Sequence, residues 1–441
     1  MRKIITILCG SLIVLSVSAQ DLSKEEELEA SVGALENSVR LLQKLRVSGY
    51  IQVQYQNAEV AADGINFKLA NRANAIDVRE EQDFGRLGVR RGRIKFTYVD
   101  GLFEGVFQPD ITERGVAFKD AYFQVKDPWF ETNILRAGVF DRPFGHEITY
   151  SSSRRESPER SRIFQTLFPD ERDLGVMLVL QPAKSSPLNI FKLDAGLFSG
   201  NGIRPQIQTK MDFIGRLSVT QPIGFNVVAS GGVSAYLGNQ LQTHKEIWVM
   251  ENNIFKLDSD NDKNIGKYAK RQYFGVDAQL AAFTPIGLTV LRGEYIMGEH
   301  AGSSSGVTLN PTALPTGACY IRKINGGYVL FAQDFGTSPF TAIFKYDWFN
   351  PNIDVKGDYI AETGSRTGAA DIQLSNIALG LLVRIAPQLK LTAYYDMISH
   401  EKTKNIINQE TTEGSKTWIS SYGYAEKRPM NVLTVRLQYV F

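Results

Sequence analysis

From residue 47 onward, segments of about ten residues alternate apolar and polar side chains, and the connections between them sort by length. Period-two patterning is the mark of a β-strand with two unlike faces. Sixteen such segments are legible, near 47–56, 86–99, 102–110, 116–126, 132–142, 173–181, 190–198, 211–220, 225–236, 271–283, 287–297, 326–335, 339–348, 374–385, 389–399 and 430–441. Every second connection is short: Asp100-Gly101, "DPWFE", "PAKSSPLN", "QPIG", "TPIG", "GTSP" and "APQ". The others are mostly long, near 57–85, 111–115, 143–172, 199–210, 237–270, 298–325, 349–373 and 400–429, the second alone being brief. Tight turns at one end and long loops at the other constrain the fold to a closed, antiparallel, all-β transmembrane barrel of about 16 strands. An even strand count places both termini on the tight-turn side.

The faces support this. In "RRGRIKFTYV" (90–99), Ile94, Phe96 and Tyr98 share one face, and Arg91, Arg93 and Lys95 the other. The apolar set is expected to face lipid and the cationic set a water-filled lumen, since sixteen strands make a barrel too wide for wall side chains to fill. Arg90 has lipid parity and is expected to meet a headgroup phosphate or a loop carboxylate. The segments 191–197, 340–347 and 389–396 alternate in the same way. The last one, "NVLTVRLQYVF", ends on Phe441, as in proteins handed to the barrel-assembly machinery.

The first residues read as an export signal: Arg2 and Lys3, an apolar run over 4–17, then Val17-Ser18-Ala19. Cleavage near Ala19 is expected, giving a signal peptide at 1–19. Loss of Arg2 and Lys3 leaves 47 basic and 47 acidic residues, so total charge does not point to nucleic acid and any charge preference must be local. Cys319 is then alone, and His146, His244, His300 and His400 have no metal-ligand spacing, so neither a metal nor a cofactor is expected. Residues 21–46 carry Leu28, Val32, Leu35, Val39 and Leu42 at heptad spacing. They read as a periplasmic helix, either folded back on its own domain or forming a short coiled coil that joins copies of the chain. The barrel occupies 47–441.

A wide channel needs a constriction. The connection 143–172, "PFGHEITYSSSRRESPERSRIFQTLFPDER", combines Arg154, Arg155, Arg160 and Arg162 with the apolar anchors Ile163, Phe164, Leu167 and Phe168. Such anchors are of use to a loop folded into the barrel. Its arginines would then face wall residues Arg91, Arg93, Lys95, Arg136 and Arg142. Guanidinium groups suit phosphate and carboxylate, and rings of Arg or Lys select anions. Glu147, Glu156, Glu159, Asp170, Glu171 and Asp173 lie in or beside the same stretch. Pairing with them would leave a polar, weakly selective eyelet, and both outcomes stay open.

The pieces "RRGRIKF", "KDAYFQV", "LRAGVFDRPFG", "SSSRRESPERS" and "ERDLGVML" together resemble the phosphate-selective porin O and P family of Gram-negative outer membranes. The resemblance covers roughly 85–200, with strand pattern alone beyond. It implies a trimeric sixteen-stranded barrel, a basic pore passing small anions such as phosphate, an inward-folded third loop, and in some members an N-terminal periplasmic coil. Two features depart from a strongly phosphate-selective member: the Glu-rich loop and the absence of net positive charge once the signal peptide is removed. A barrel hydrolase would need a nucleophile with a base beside it, and the one histidine placed near a lumen-facing Ser is His400, at a strand end. A surface receptor would use the long loops 237–270, 298–325 and 400–429, and "LDSDNDKN" (257–264) reads as a mobile solvated tip.

Overall fold

The computed structural model describes residues 43–59, 83–204, 208–302, 317–403 and 430–441. The expected signal peptide and residues 21–42 of the expected helix lie outside the described residues. Eighteen strands form one sheet, and sixteen of them close an antiparallel transmembrane barrel. The first nine are β1 (Leu45–Ala58), β2 (Phe84–Asp100), β3 (Phe103–Thr112), β4 (Gly115–Lys126), β5 (Ile134–Asp141), β6 (Arg172–Leu180), β7 (Phe191–Phe198), β8 (Asp212–Ile223) and β9 (Val227–Leu241). The wall resumes with β12 (Tyr268–Thr284), β13 (Gly287–Gly302), β14 (Cys319–Asp334), β15 (Phe340–Asn350), β16 (Leu374–Ala386), β17 (Leu389–His400) and β18 (Val432–Val440).

Closure is made by β1 and β18, from Tyr50↔Val440 to Ala58↔Val432. Gly49 and Phe441 complete it by exchanging backbone hydrogen bonds of 2.9 Å each way. Closing the sheet leaves no unpaired edge, which is what lets strands sit in hydrocarbon. The burial pattern is inverted relative to a water-soluble sheet. On β1 the polar Gln52, Gln54 and Gln56 are buried inside, while Ile51, Val53 and Tyr55 are exposed outside. The same alternation exposes Val176 and Leu178 on β6 and Phe340 and Phe344 on β15. An apolar outer surface of this extent is stable only in contact with lipid, where it escapes a cost of about 25 cal/mol per Å².

The turn between β4 and β5 shows how short connections are fixed. The Asp127 carboxylate accepts N–H bonds from Phe130 (2.7 Å), Asn133 (2.8 Å) and Trp129 (2.9 Å). These bonds, that from Phe130 first, hold its pKa below the usual carboxylate range. Trp129 and Phe130 are left exposed beside it.

The connection between β9 and β12 corrects an expectation. It contains two further strands, β10 (Glu246–Glu251) and β11 (Ile254–Asp260). They are joined by Asn252 and Asn253, both with positive φ (51° and 67°), the conformation of a tight type I′ hairpin. Trp248 stacks on Tyr320 of β14 at 5.9 Å, and Phe255 meets the same ring edge-on at 4.9 Å. The Phe255 N–H also reaches Ser365 O at 3.0 Å. The stretch 257–264 is therefore the second arm of this hairpin and a 3₁₀ turn capped by Asn261, not a free tip.

Candidate functional site

Arg142–Glu171, between β5 and β6, is pinned at its base by Arg142 N–H to Glu171 O at 3.2 Å. Phe144, Ile148, Ile163, Phe164, Leu167 and Phe168 are almost wholly buried. The last of these lie on or just after the helix α1 (Arg162–Leu167). They pack with inward residues of the wall, among them Phe140, Tyr236, Tyr273, Ile296 and Tyr328. A β-barrel wall that turns Tyr and Ile inward on one side makes an apolar seat there, and the segment's aromatic residues fill it. Phe168, for example, meets Tyr236 and Tyr273 edge-on at 5.9 and 5.8 Å.

Polar contacts take the same segment across the lumen. Gly145, with φ of +65°, donates its N–H to Ser234 of β9 at 2.9 Å. The N–H groups of His146 and Glu147 both reach the Glu294 carboxylate on β13, at 3.1 Å in each case. Glu147 accepts from Lys345 of β15 at 2.8 Å, and Glu156 from Arg292 of β13 at 3.0 Å. The tip reaches the opposite wall. Tyr50 of β1 meets Ser152 at 2.6 Å, and Lys390 of β17 and Gln438 of β18 donate to Ser153 O at 2.7 and 2.9 Å.

The cations anticipated from sequence divide into groups. Arg91 pairs with Glu159 at 3.2 Å, and Arg93 with Asp110 at 3.1 Å. The strand loses its alternation here: Arg91, Gly92 and Arg93 are all buried. That break lets Arg90, nominally on the lipid face, turn in to Glu159 at 2.8 Å, so a loop carboxylate receives it. Lys95 is half-buried between Ile94 and exposed Phe96. Arg136 bonds Gln124 at 2.9 Å and lies over the Tyr122 ring at 4.6 Å, with no carboxylate in those contacts. Arg142 is paired with Asp173 at 3.1 Å and lies 5.8 Å from the Phe168 ring. That places it behind the segment, away from Arg91.

The loop arginines also separate. Arg154 is exposed. Arg155 is buried and donates to the carbonyls of Ser157 and Pro158 at 3.2 and 3.0 Å. Arg160 is turned into its own loop, to the carbonyls of Glu147 (2.7 Å) and Ile148 (3.0 Å) and to Glu171. Arg162 sits at the start of α1 and donates its backbone N–H to Asp347 of β15 at 3.1 Å, on the far side from Arg91 and Arg93.

Two wall cations not singled out from sequence belong beside Arg91. Arg436 of β18 reaches Glu159 at 3.1 Å, and Lys390 holds Ser153 O. Both were legible as the polar parity of their strands: Arg436 shares its face with Thr434 and Gln438, and Lys390 with Thr392. The result is an arc on β17, β18, β1 and β2 where Arg90, Arg91 and Arg436 share one carboxylate and Lys390 donates to a loop carbonyl, while Arg155 of the loop donates to carbonyls of its own segment. Between this arc and α1 lies a cavity of about 250 Å³, where Arg90, Arg91, Arg93, Lys119 and Arg160 come together with the carboxylates of Asp110, Glu159, Asp170 and Glu171. Among the described residues, no group of His, Cys, Asp and Glu side chains gathers as a metal site.

No protein-family model matches the chain, and no curated protein matches it. Solved structures do match. The outer membrane channel DcaP of Acinetobacter baumannii aligns over 90% of this chain and 97% of its own, with a TM-score of 0.51 and 10% identity. OmpF of Salmonella typhi aligns over the same shares, at 0.49 and 11%. The trimer form of OmpT from Vibrio cholerae covers 90% and 99%, at 0.49 and 11%. At such low identity the likeness to DcaP is one of fold.

Proposed function

We propose that the chain is an outer-membrane porin, a passive diffusion channel whose constriction prefers small anions, phosphate among them. One observation carries the preference. In the arc on β17, β18, β1 and β2 a single carboxylate, Glu159, serves Arg90, Arg91 and Arg436, while Lys390 of the wall and Arg155 of the loop donate to main-chain carbonyls. Local positive charge exceeds local negative charge there, although the chain without Arg2 and Lys3 is balanced. Weak cationic sites of this kind admit an anion and release it again.

The resemblance to phosphate-selective porins agrees with this reading. So does the way Arg142–Glu171 narrows the lumen. By the same reading the protein is an integral protein of a Gram-negative outer membrane, matured by the barrel-assembly machinery, trimeric, with its 21–46 helix in the periplasm. A weakly selective general porin is the second reading. It is favoured by the tight pairs Arg93–Asp110, Arg142–Asp173 and Arg160–Glu171, which neutralise three of the candidate cations. Planar-bilayer recording separates the two. Replacing Arg91 and Arg436 together by Gln should move the chloride/potassium permeability ratio toward unity, most clearly at low salt, where screening is weakest. A ratio that stays put assigns the pore to general diffusion.

A further inference from the structure

Glu159 is the loop carboxylate that Arg90, Arg91 and Arg436 hold directly. Its Oε1 accepts from Arg90 Nε at 2.8 Å and Arg436 Nη2 at 3.1 Å. Its Oε2 accepts from Arg90 Nη2 at 3.0 Å and Arg91 Nη2 at 3.2 Å. The receiving groups are fixed from the wall. Arg91 is held by Gln52 at 2.8 Å and Arg436 by Gln54 at 2.7 Å, both on β1. Gln52 is itself bonded to Gln438 at 2.7 Å. The arginines thus form a built seat, oriented by strands, and the carboxylate comes from a different element.

A two-oxygen anion held by guanidinium forks is a strong and geometrically specific contact. The same donors would take a planar carboxylate from solution. Three guanidiniums against one carboxylate also leave the seat with excess positive charge even when Glu159 is in place.

We propose that the Arg90–Arg91–Arg436 seat is a binding site for small carboxylate solutes, and that Glu159 is its tethered occupant, which a passing carboxylate displaces. Tethering keeps the site from trapping a solute, because the leaving anion is replaced at once by the side chain. This rests on the anion-preferring reading above and names both the solute class and the residue that tunes it. The loop keeps independent anchors when Glu159 is changed: the Phe164 and Phe168 packing, Lys345–Glu147 and Tyr50–Ser152.

The test uses the full chain and its Glu159→Gln variant in planar bilayers, with sodium formate and then sodium phosphate added to chloride solutions. The variant should raise the chloride/potassium permeability ratio roughly five-fold, the factor one unit charge about 4 Å away is worth in water. Formate should then slow chloride current at concentrations roughly five-fold lower in the variant than in the parent, by the same one-charge factor, since the competitor is gone. Formate block equal in parent and variant overturns the proposal. So does block by phosphate alone. A released loop would instead raise conductance for both ions in concentrated salt, where charge effects are screened, and that outcome also overturns it. A parent channel with no anion preference defeats the reading of function above, while the formate comparison still decides the seat.

Discussion

Glu294 makes the clearest mechanical prediction. It is buried on β13 and accepts the backbone N–H groups of His146 and Glu147, the first through both oxygens at 3.1 and 3.2 Å and the second at 3.1 Å. A buried amide donor left without its acceptor costs about 1–3 kcal/mol. Glu294→Leu leaves two such donors unmet and so removes roughly 2–6 kcal/mol of anchoring from the start of the loop. At 3 kcal/mol the population of displaced loop rises by about two orders of magnitude. Gly145→Ala attacks the same joint from the other side. Its φ of +65° disfavours any side chain, and a Cβ there would collide with the Glu294 carboxylate. Both variants should form heat-modifiable barrels, since the strands close on themselves. In single-channel records both should show larger and noisier current than the parent. Quiet traces at parental conductance in both would refute the idea that this joint holds the constriction.

Other consequences are open to test. Lys95→Cys should react with a small charged thiol reagent and reduce current, and Phe96→Cys should not; equal reactivity would mean that the strand faces are misassigned. Phe164→Ala should weaken loop docking by about 3–5 kcal/mol, as for other buried aromatic truncations, read as faster proteolysis of the loop in the intact barrel. Detergent-extracted protein should crosslink as a trimer, and removal of 21–46 should weaken the trimer while leaving the barrel heat-modifiable. A monodisperse monomer would contradict it.

The barrel was legible because membrane strands obey two simple rules at once, period-two faces and alternating connection lengths. All sixteen segments read from these rules are wall strands, with ends displaced by up to seven residues, the most at the start of β14. The hairpin β10–β11 escaped because each arm is too short to span a membrane, although Asn252-Asn253 between two β-prone runs was a turn signal. The composition of the constriction was legible, but its pairings were not. Glu159 meets Arg436 across 277 residues of chain, and Glu147 meets Lys345 across 198. Which carboxylate neutralises which guanidinium depends on where the loop crosses the wall, and residue spacing carries no record of that. Lys390 and Arg436 showed only as polar members of alternating strands, because lumen parity alone does not tell a constriction residue from one above or below it.

The central claim is an anion-preferring passive channel, and the reversal potential of the unmodified protein in a potassium chloride gradient tests it most directly. The account predicts a stable, ohmic channel whose reversal potential lies toward the chloride equilibrium potential and moves closer to it as salt is lowered. A potential on the potassium side, or one at zero across all salt concentrations, would contradict it.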